Sequence, residues 1–542
     1  MPESGETASL PSRIASLVHA HFDALPTRSK PSTFPDGTRE WIPMTGIVAV
    51  TGENTASERL HCITVTSGAK CLSASHIPRC RGLVLHDCHA EILAIRAFNY
   101  WLLTECHGLL TEEQISKERF DPEHHKRDSA SEHNIPASPF IRRRVSNNKA
   151  HDDEDPESKK WPPFELQPDI KLYMYCTCAP CGDASMELCM ASQQDATPWE
   201  ITQEKTNDAD SEENMLDGRA HFSRLGVVRR KPARMDAEST RSKSCSDKLA
   251  LRQVSSLLSF ETSRLIAPTK NAYLAGLILP EDEITRSGCE RSFGENGRMK
   301  ALVGKSWPNN NMPLGESTIG YRFHPFNVLA VSSEQIKAQW LFAKMKSIPP
   351  LPSNGPEGVK SVTVSKKNRP GNVSAIWTAA PSYTHSCAAL SDTGCKTLPA
   401  LNRTKTGLYE NIINGVKQGN RANVPLARGA SSLSRAKLWA LLRNIVQPNV
   451  CNSITGSLQQ DLPVLGEDAC VGDRSLDALR HKVQHATTYD EMKRDRSDPT
   501  KSDQFRAETI NEAKAVLKGW LSNSGDEGWG LDVLIDPQKR KR

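Results

Sequence analysis

The sequence predicts an α/β domain in which helices cover a sheet and long polar segments interrupt the core. Stretches typical of strands and of helices alternate along the chain, and several segments between them are charged rather than apolar. Strand–helix alternation places helices against the faces of a sheet. No internal repeat is apparent, so one elaborated domain is favoured over several independent modules.

The individual elements follow from local patterns. "GIVAV" (46–50) and "CITVTSG" (62–68) are rich in β-branched residues and predict a hairpin. Residues 83–103 predict a short strand followed by a helix, and "IKLYMYC" (170–176) predicts a buried strand that leads to another helix start. Further core segments are "CSDKLALRQVSSLLSF", "NAYLAGLILPED", "FNVLAVSS" and the strand "VSAIWTAAP", followed by the amphipathic helices "LSRAKLWALLRNIV" and "FRAETINEAKAVLKGWL".

Domain limits follow from shifts in composition. We expect an N-terminal extension over 1–44, the main domain over 45–531 and a basic tail over 532–542. Segments that are charged or rich in Pro and Gly cannot bury enough apolar surface to form a core. We therefore expect inserts near 107–168, 191–220, 346–371 and 452–487. The tail ends in "PQKRKR", which is either a nuclear address or a solvated end.

Composition sets broad limits on function. Lys and Arg number 69 against 64 Asp and Glu, and this weakly basic balance of +5 neither requires nor excludes a nucleic-acid partner. No apolar run approaches the ~20 residues of a membrane helix, and the N-terminus lacks the pattern of a secretory signal. The 15 cysteines are scattered, so most are expected to be reduced and a few to be available as metal ligands.

The first chemical motif is "DCHAEI", in which His89 precedes Glu91 by two residues. Two residues on a helix correspond to about 200°, so inside a helix these side chains would point apart. They can serve one site only in the first turn of a helix, where unpaired N–H groups also face the pocket. H-x-E placed in this way is half of a zinc deaminase signature.

The second half of that signature is "CAPCGDAS", in which Cys181 follows a proline at a predicted strand–helix junction. Ala184 replaces the second cysteine of P-C-x-x-C, so the third ligand is expected at Cys245, which begins another helix. One histidine and two cysteines leave tetrahedral zinc an open position for water, and Glu91 would then transfer the proton of that water to the substrate. The alternative is a closed structural zinc site that uses the C-x-x-C pair Cys178 and Cys181.

In the order "DCHAEI", "PCGDAS" and "SCSDKLAL", these motifs resemble the catalytic domain of the adenosine deaminases that act on RNA. "VRRKPARMDAESTRSKSCSDK" more closely resembles the eukaryotic tRNA-specific subgroup, which converts the adenosine 3′ of the anticodon in alanine tRNA to inosine. The resemblance runs with gaps from about residue 45 to 531. It implies a cytidine-deaminase-like mixed sheet flanked by helices, with a C-terminal helical elaboration.

Arg96 lies in a helix that is apolar on nearly every face, so its buried charge requires an anion. A side-chain carboxylate is one candidate, and the resemblance implies another, an enclosed inositol hexakisphosphate. The positions that match its ligands in the family are Arg96, Lys248, Ser256, Arg435, Tyr489, Lys493, Lys514 and Trp529. Ile95, Leu251 and Ile510 depart from the Arg, Arg and Tyr of the RNA-editing relatives. Asp87 and Lys248 match a relay between the inositol phosphate and the zinc ligands.

Residues Arg229, Arg230, Lys231 and Arg234 form a basic cluster between the second and third ligand motifs. They are expected either to contact RNA phosphates or to lie on a solvated loop. An anticodon loop presents unpaired bases, whereas an adenine inside a duplex has to be flipped out. We expect no double-stranded-RNA-binding domain within the roughly 44 residues before the main domain, and this expectation favours tRNA.

Three hypotheses remain open at this stage. The chain is a zinc-dependent adenosine deaminase of tRNA, an editor of double-stranded or messenger RNA, or a catalytically inactive zinc-containing RNA-binding protein. Glu91 favours an enzyme, because a binding protein needs no proton carrier beside a metal. We expect a monomer that acts on tRNA in the nucleus or cytoplasm, without a membrane partner.

Overall fold

The computed structural model describes residues 8–35, 38–119, 138–144, 162–192, 216–217, 224–231, 238–308, 320–344, 369–382, 407–447, 474–494 and 502–535. Its helices are α1 Leu10–Asp23, α2 Ala90–Arg119, α3 Met186–Ala191, α4 Cys245–Ser255, α5 Arg286–Phe293, α6 Ser333–Gln339, α7 Arg435–Val446, α8 Arg474–His485, α9 Tyr489–Arg494 and α10 Ser502–Leu517. Its strands are β1 Glu40–Trp41, β2 Met44–Thr51, β3 Arg59–Ser67, β4 Ala69–Cys71, β5 Asp87–His89, β6 Ile141–Arg143, β7 Phe164–Leu166, β8 Ile170–Cys176, β9 Leu216–Asp217, β10 Arg229–Arg230, β11 Leu274–Pro280, β12 Ser306–Trp307, β13 Tyr321–Arg322, β14 Asn327–Val331, β15 Arg369–Pro370, β16 Ser374–Thr378, β17 Leu408–Ile413 and β18 Val416–Lys417.

The centre of the fold is an eight-stranded mixed sheet with the order β14-β11-β8-β2-β3-β16-β17-β18. β14, β11 and β8 run parallel to one another, and every other neighbouring pair is antiparallel. The predicted hairpin is present as β2 and β3. This large mixed sheet flanked by helices confirms the predicted fold class.

Two apolar layers cover the two faces of the sheet. Along β2, Ile47 and Ala49 belong to one core cluster, while Val48 and Val50 belong to the other, as the alternation of a strand requires. The first cluster contains residues of α2, α7, α8 and α9. The second contains α1 and the residues that follow α6. The sheet is therefore buried on both sides.

The limits predicted for the N-terminal extension differ from the structure. Helix α1 packs through Ile14, Val18 and Phe22, each without accessible surface, into the same cluster as β2. The sequence supports this helix locally, since Ser9 accepts a hydrogen bond from the N–H of Ser12 and a proline lies in the first turn. Helix α1 therefore packs as part of the domain and not as a separate extension.

The predicted inserts are shorter than expected where the structure describes them. Helix α2 continues beyond residue 107, and Ile141 of β6 and Phe164 of β7 are fully buried in the main core. Helix α8 lies inside the predicted insert 452–487, yet Leu479 and Val483 pack into that core. Most of 191–220 and 346–371, and the tail from residue 536, lie outside the described residues.

In the described part of the chain, no helix has both the length and the apolar composition needed to cross a bilayer.

Candidate metal centre and active site

His89 and Glu91 lie where β5 passes directly into α2. His89 is the last residue of β5 and pairs with Ala69 of β4. The junction is held because the N–H of Ala90 donates to the carbonyl of Gly68 at 3.0 Å. Glu91 lies in the first turn of α2, so both side chains reach the open end of one helix.

The two cysteines come from separate loop–helix junctions. Cys181 follows β8 and precedes the short helical turn Asp183–Ser185, and Cys245 is the first residue of α4. The cap of α4 is closed by Ser244, whose hydroxyl accepts from the N–H of Asp247 at 3.1 Å. The N–H of Cys245 points to the sulfur of Cys181 at 3.4 Å, which ties the two junctions together.

Gly182 allows these junctions to approach closely. Its φ of 106° is rarely adopted by residues with a side chain, and an added Cβ would lie 2.2 Å from the hydroxyl oxygen of Ser244. Glycine is therefore required beside Cys181 on steric as well as conformational grounds.

The three predicted ligands converge on one point. The Nδ1 atom of His89 lies 3.8 Å from the sulfur of Cys181 and 3.6 Å from that of Cys245. Tetrahedral zinc with bonds of about 2.0 Å to nitrogen and 2.3 Å to sulfur places such atoms about 3.5 Å apart. One imidazole and two sulfurs at these separations fit zinc. Cys178 does not join this group in the described structure, which favours an open three-ligand site over the closed alternative.

Glu91 is buried, with 3% of its surface exposed, and its Oε2 atom has no hydrogen-bond partner among the described residues. Burial raises the pKa of this carboxyl above its ordinary value. An unpaired carboxylate oxygen is costly to bury, so the site is arranged around a group that the protein itself does not supply.

Asp87 connects one of the predicted ligand residues to two lysines and a serine. It accepts hydrogen bonds from the backbone N–H of His89 at 3.0 Å and from the hydroxyl of Ser242 at 2.7 Å. The ammonium groups of Lys231 and Lys248 both pair with the same carboxylate. Asp87 thereby fixes the backbone of a ligand residue.

Lys231 was expected to contact RNA, and the structure corrects this expectation. Only 4% of its surface is exposed, and its Nζ atom lies 2.9 Å from Asp87 and 3.3 Å from the sulfur of Cys245. Lys231 therefore contacts one predicted metal ligand, Cys245, and the aspartate that holds another, His89. The local sequence shows only a basic run, and the motif "VRRKPARMD" was the one available signal that this lysine differs from its neighbours.

The charges of this network favour ligand chemistry. Although burial opposes the charged form, Asp87 raises the pKa of Lys231 well above its ordinary value. The hydrogen bond with Cys245, together with the positive charge of Lys231, holds the pKa of the Cys181 thiol well below its ordinary value although burial opposes it. Zinc binds the thiolate form of cysteine, so the environment of Cys181 favours that form.

The other three residues of the predicted RNA-contact cluster differ in their exposure and in whether the structure describes them. Arg229 has no exposed surface and its backbone N–H donates to Asp247 at 2.9 Å, so a phosphate in solvent cannot reach it. Arg230 is partly buried in β10 and its RNA contact stays a prediction. Arg234 lies outside the described residues.

Several predicted inositol-phosphate ligands lie together between α2 and the C-terminal helices. The rings of Tyr489 and Trp529 stack with centroids 4.7 Å apart, and Arg435 and Lys493 lie 5.6 and 5.5 Å from the Tyr489 ring centroid. Arg96 donates to the carbonyl of Leu433 at 2.8 Å. Among the described residues no carboxylate forms an ion pair with Arg96, although the charges of Glu261 and Asp87 act on it.

The remaining predicted ligands lie around this group. Lys248 is bound to Asp87 and Ser242, and Ser256 ends α4 with a φ of 58°. Burial lowers the pKa of Lys514.

The chain matches the sequence pattern of the adenosine-deaminase (editase) domain over residues 64–136 and 145–257, which include the three ligands and Glu91. It is 34% identical over 317 residues to tRNA-specific adenosine deaminase 1 of Schizosaccharomyces pombe, covering 58% of this chain and 66% of that protein. The corresponding protein of Saccharomyces cerevisiae is 32% identical over 284 residues, covering 52% of this chain and 61% of the relative. Double-stranded RNA-specific editase B2 of Rattus norvegicus is 31% identical over 159 residues, covering 29% of this chain and 15% of that protein.

The chain thus spans about two thirds or less of the length of these relatives. The match to the editase domain agrees with the mixed sheet flanked by helices. It also agrees with the convergence of His89, Cys181 and Cys245. The chain belongs to the adenosine-deaminase (editase) family.

Proposed function

We propose that this chain is a zinc-dependent deaminase that converts adenosine to inosine in tRNA, at the position 3′ of the anticodon in alanine tRNA. The observation that carries the proposal is the unpaired, buried carboxylate of Glu91 beside the convergent His89, Cys181 and Cys245. A closed structural metal site has no use for such a carboxylate, whereas hydrolysis needs a group that moves protons.

The three ligands would hold zinc through Nδ1 of His89 and the sulfurs of Cys181 and Cys245. Zinc would supply a Lewis acid that makes water acidic enough to act as a nucleophile near neutral pH. Lys231, through its contact with Cys245, stabilises the thiolate charge. The carboxylate of Asp87 accepts a hydrogen bond from the backbone N–H of His89 and so fixes the position of that residue.

Glu91 moves the protons of the reaction. Its Oε2 atom accepts a proton from the attacking water and delivers it to ring nitrogen N1 of adenine, while the water oxygen bonds to C6. The second proton of that water then reaches the exocyclic amine, the C6–N bond breaks, and ammonia leaves with inosine as the product. Burial of Glu91 supports this role, because its raised pKa favours holding a proton between the two transfers.

The choice of tRNA rests on the relatives. The two fungal proteins that match more than half of this chain are named as tRNA-specific, whereas the double-stranded RNA editase matches 29% of it. An anticodon loop also presents an adenosine that needs less unstacking than one inside a duplex. We further include an enclosed inositol hexakisphosphate, because no carboxylate of the described structure forms an ion pair with the buried Arg96 or Lys493, although Arg435 beside them pairs with Asp526.

The test is incubation of the purified protein with alanine tRNA, other tRNAs and a long RNA duplex, followed by mapping of inosine. We expect inosine 3′ of the anticodon in alanine tRNA. Conversion of the duplex alone would instead support the editing of double-stranded RNA.

The variant Glu91→Ala tests the mechanism. We expect it to abolish deamination, since removal of a general acid–base group costs about 10²- to 10⁴-fold, while its fold and zinc content stay close to those of the unmodified protein. Retained activity would refute the assigned role. An inactive unmodified protein that binds tRNA and zinc would favour the hypothesis of an RNA-binding protein.

A further inference from the structure

We propose that Arg252 and Arg506 are two additional ligands of the enclosed polyphosphate and replace the ligand side chains that are missing at Leu251 and Ile510. This inference rests on the inositol hexakisphosphate included in the proposed function. It concerns which residues of this chain hold that anion, and neither arginine was among the ligands expected from the sequence.

The two guanidinium groups meet at one backbone atom. Arg252 at the end of α4 and Arg506 in α10 both donate to the carbonyl oxygen of Leu258, at 3.1 and 3.4 Å. Arg252 also donates to the carbonyl of Ser256 at 3.3 Å. Two like charges are thus brought together beside Ser256, a residue already expected to bind the anion.

Neither arginine has an ion-pair partner among the residues that the structure describes. In the described part of the chain, no carboxylate forms an ion pair with Arg252 or Arg506, and the buried Nε atom of Arg506 has no hydrogen-bond partner. Burial, followed by the charges of Arg506 and Arg96, lowers the pKa of Arg252 to about 9. Uncompensated guanidinium groups that repel one another in the interior require an anion.

The charge of Arg506 also acts on two buried lysines, Lys493 and Lys514. Burial lowers the pKa of Lys493 to about 8 and also lowers that of Lys514, and in both cases Arg506 contributes to the lowering. We call Arg96, Arg252, Lys493, Arg506 and Lys514 the cation cluster. Glu261 counteracts it, and Asp87 also counteracts the charge of Arg96. Glu261 already accepts hydrogen bonds from Tyr489 at 3.0 Å and Ser259 at 2.9 Å, and Asp87 is already paired with Lys231 and Lys248.

The number of charges identifies the chemistry of the ligand. Among the described residues, Glu261 and the already paired Asp87 are the carboxylates that act on these five cations. Several positive charges are therefore left, which one phosphate does not balance. A polyphosphate supplies enough negative charge, and the planar guanidinium fork binds phosphate oxygens in pairs.

The positions of the two arginines explain why they can act as replacements. Leu251 packs against the apolar cluster around Val254 and Tyr321. Arg252, the next residue of α4, lies about 100° further around the helix and donates to the carbonyls of Ser256 and Leu258. Arg506 precedes Ile510 by four residues on α10, so the two lie on the same face of that helix.

The experiment measures exchange of the bound anion rather than enzyme activity. Purified protein is mixed with isotopically labelled inositol hexakisphosphate, and bound labelled and unlabelled forms are counted over time by mass spectrometry after denaturation. We compare Arg252→Gln and Arg506→Gln with Arg480→Gln. Arg480 is the matched control, because it also donates to a backbone carbonyl, that of Val446 at 2.7 Å, but has Asp477 as its ion-pair partner.

We expect exchange at least tenfold faster in Arg252→Gln and Arg506→Gln, and unchanged in the control. If Arg506→Gln does not fold, Arg506→Lys replaces it; loss of the planar fork should again accelerate exchange. Bound inositol hexakisphosphate that exchanges at the same rate in all variants would overturn the inference and leave the proposed cofactor intact. Absence of any inositol phosphate from the unmodified protein would overturn both, and the tRNA assay would still test the deaminase reaction independently.

Discussion

Replacement of Lys231 by glutamine removes an ammonium group from the interior of the metal centre. At an effective dielectric constant of about 20, two unit charges separated by the 3.3 Å between Nζ and the sulfur of Cys245 attract each other by about 5 kcal/mol. This is an upper limit, because a hydrogen bond to a charged group contributes about 1.5–3 kcal/mol net. We therefore expect zinc affinity to fall about 10- to 100-fold, the range found when partners of metal ligands are removed.

The same substitution should also lower the free energy of unfolding. Breaking a buried ion pair costs about 3–5 kcal/mol, and the lower end applies here because Lys248 and Ser242 still contact Asp87. Zinc affinity is measured by competition with a chelator, and stability by urea unfolding of the zinc-loaded protein.

Lys248→Gln is the matched control, because Lys248 shares the carboxylate of Asp87 and no contact with a cysteine is described for it. We expect this control to lose stability with a smaller change in zinc affinity. Equal zinc affinity in the Lys231→Gln variant and the unmodified protein would refute the supporting role assigned to Lys231.

Two further predictions concern the N-terminal helix. Phe22→Ala should lower the free energy of unfolding by about 3–5 kcal/mol, because Phe22 is fully buried with its ring centroid 4.9 Å from that of Trp340; a loss below about 1 kcal/mol in urea unfolding would show that α1 is not part of the core. Burial lowers the pKa of His19 to about 4, so between pH 6.5 and 4 the unfolded chain binds a proton that the folded protein does not, and stability falls as the pH falls. His19→Gln should flatten this dependence by up to about 3 kcal/mol, measured as the difference in unfolding free energy between pH 7 and 4.5, and an unaltered difference would contradict the assignment.

Local patterns were sufficient where a feature depends on neighbours in the chain. The β2–β3 hairpin, α2 and the strand β16 follow from periodicity and residue type, and His89 and Glu91 lie at a helix start because two-residue spacing allows nothing else for one site. Helix α1 could also have been predicted, since Ile14, Val18 and Phe22 repeat every four residues behind a capping serine. Leu479 and Val483 carry the same spacing in α8, and surrounding polar residues obscured it.

Other assignments depended on residues distant in the chain. "RRK" at 229–231 reads as an exposed basic run, yet the partner that buries Lys231 is Asp87, 144 residues earlier. Likewise, the repulsion between Arg252 and Arg506 arises only because α4 and α10 meet at Leu258. A charged side chain is buried or exposed according to whether a counter-charge is brought to it, and a local pattern does not contain that information.

By itself, the sequence determined the kinds of chemistry available to this protein: an imidazole, two thiols and a carboxylate, each at or just before the start of a helical segment. The tertiary structure decided which of its cations support those groups and which are buried without an ion-pair partner in the described part of the chain. The physical reason is that residue type and helix geometry are properties of neighbouring residues, whereas the free energy of burying a charge is set by whatever the fold places beside it.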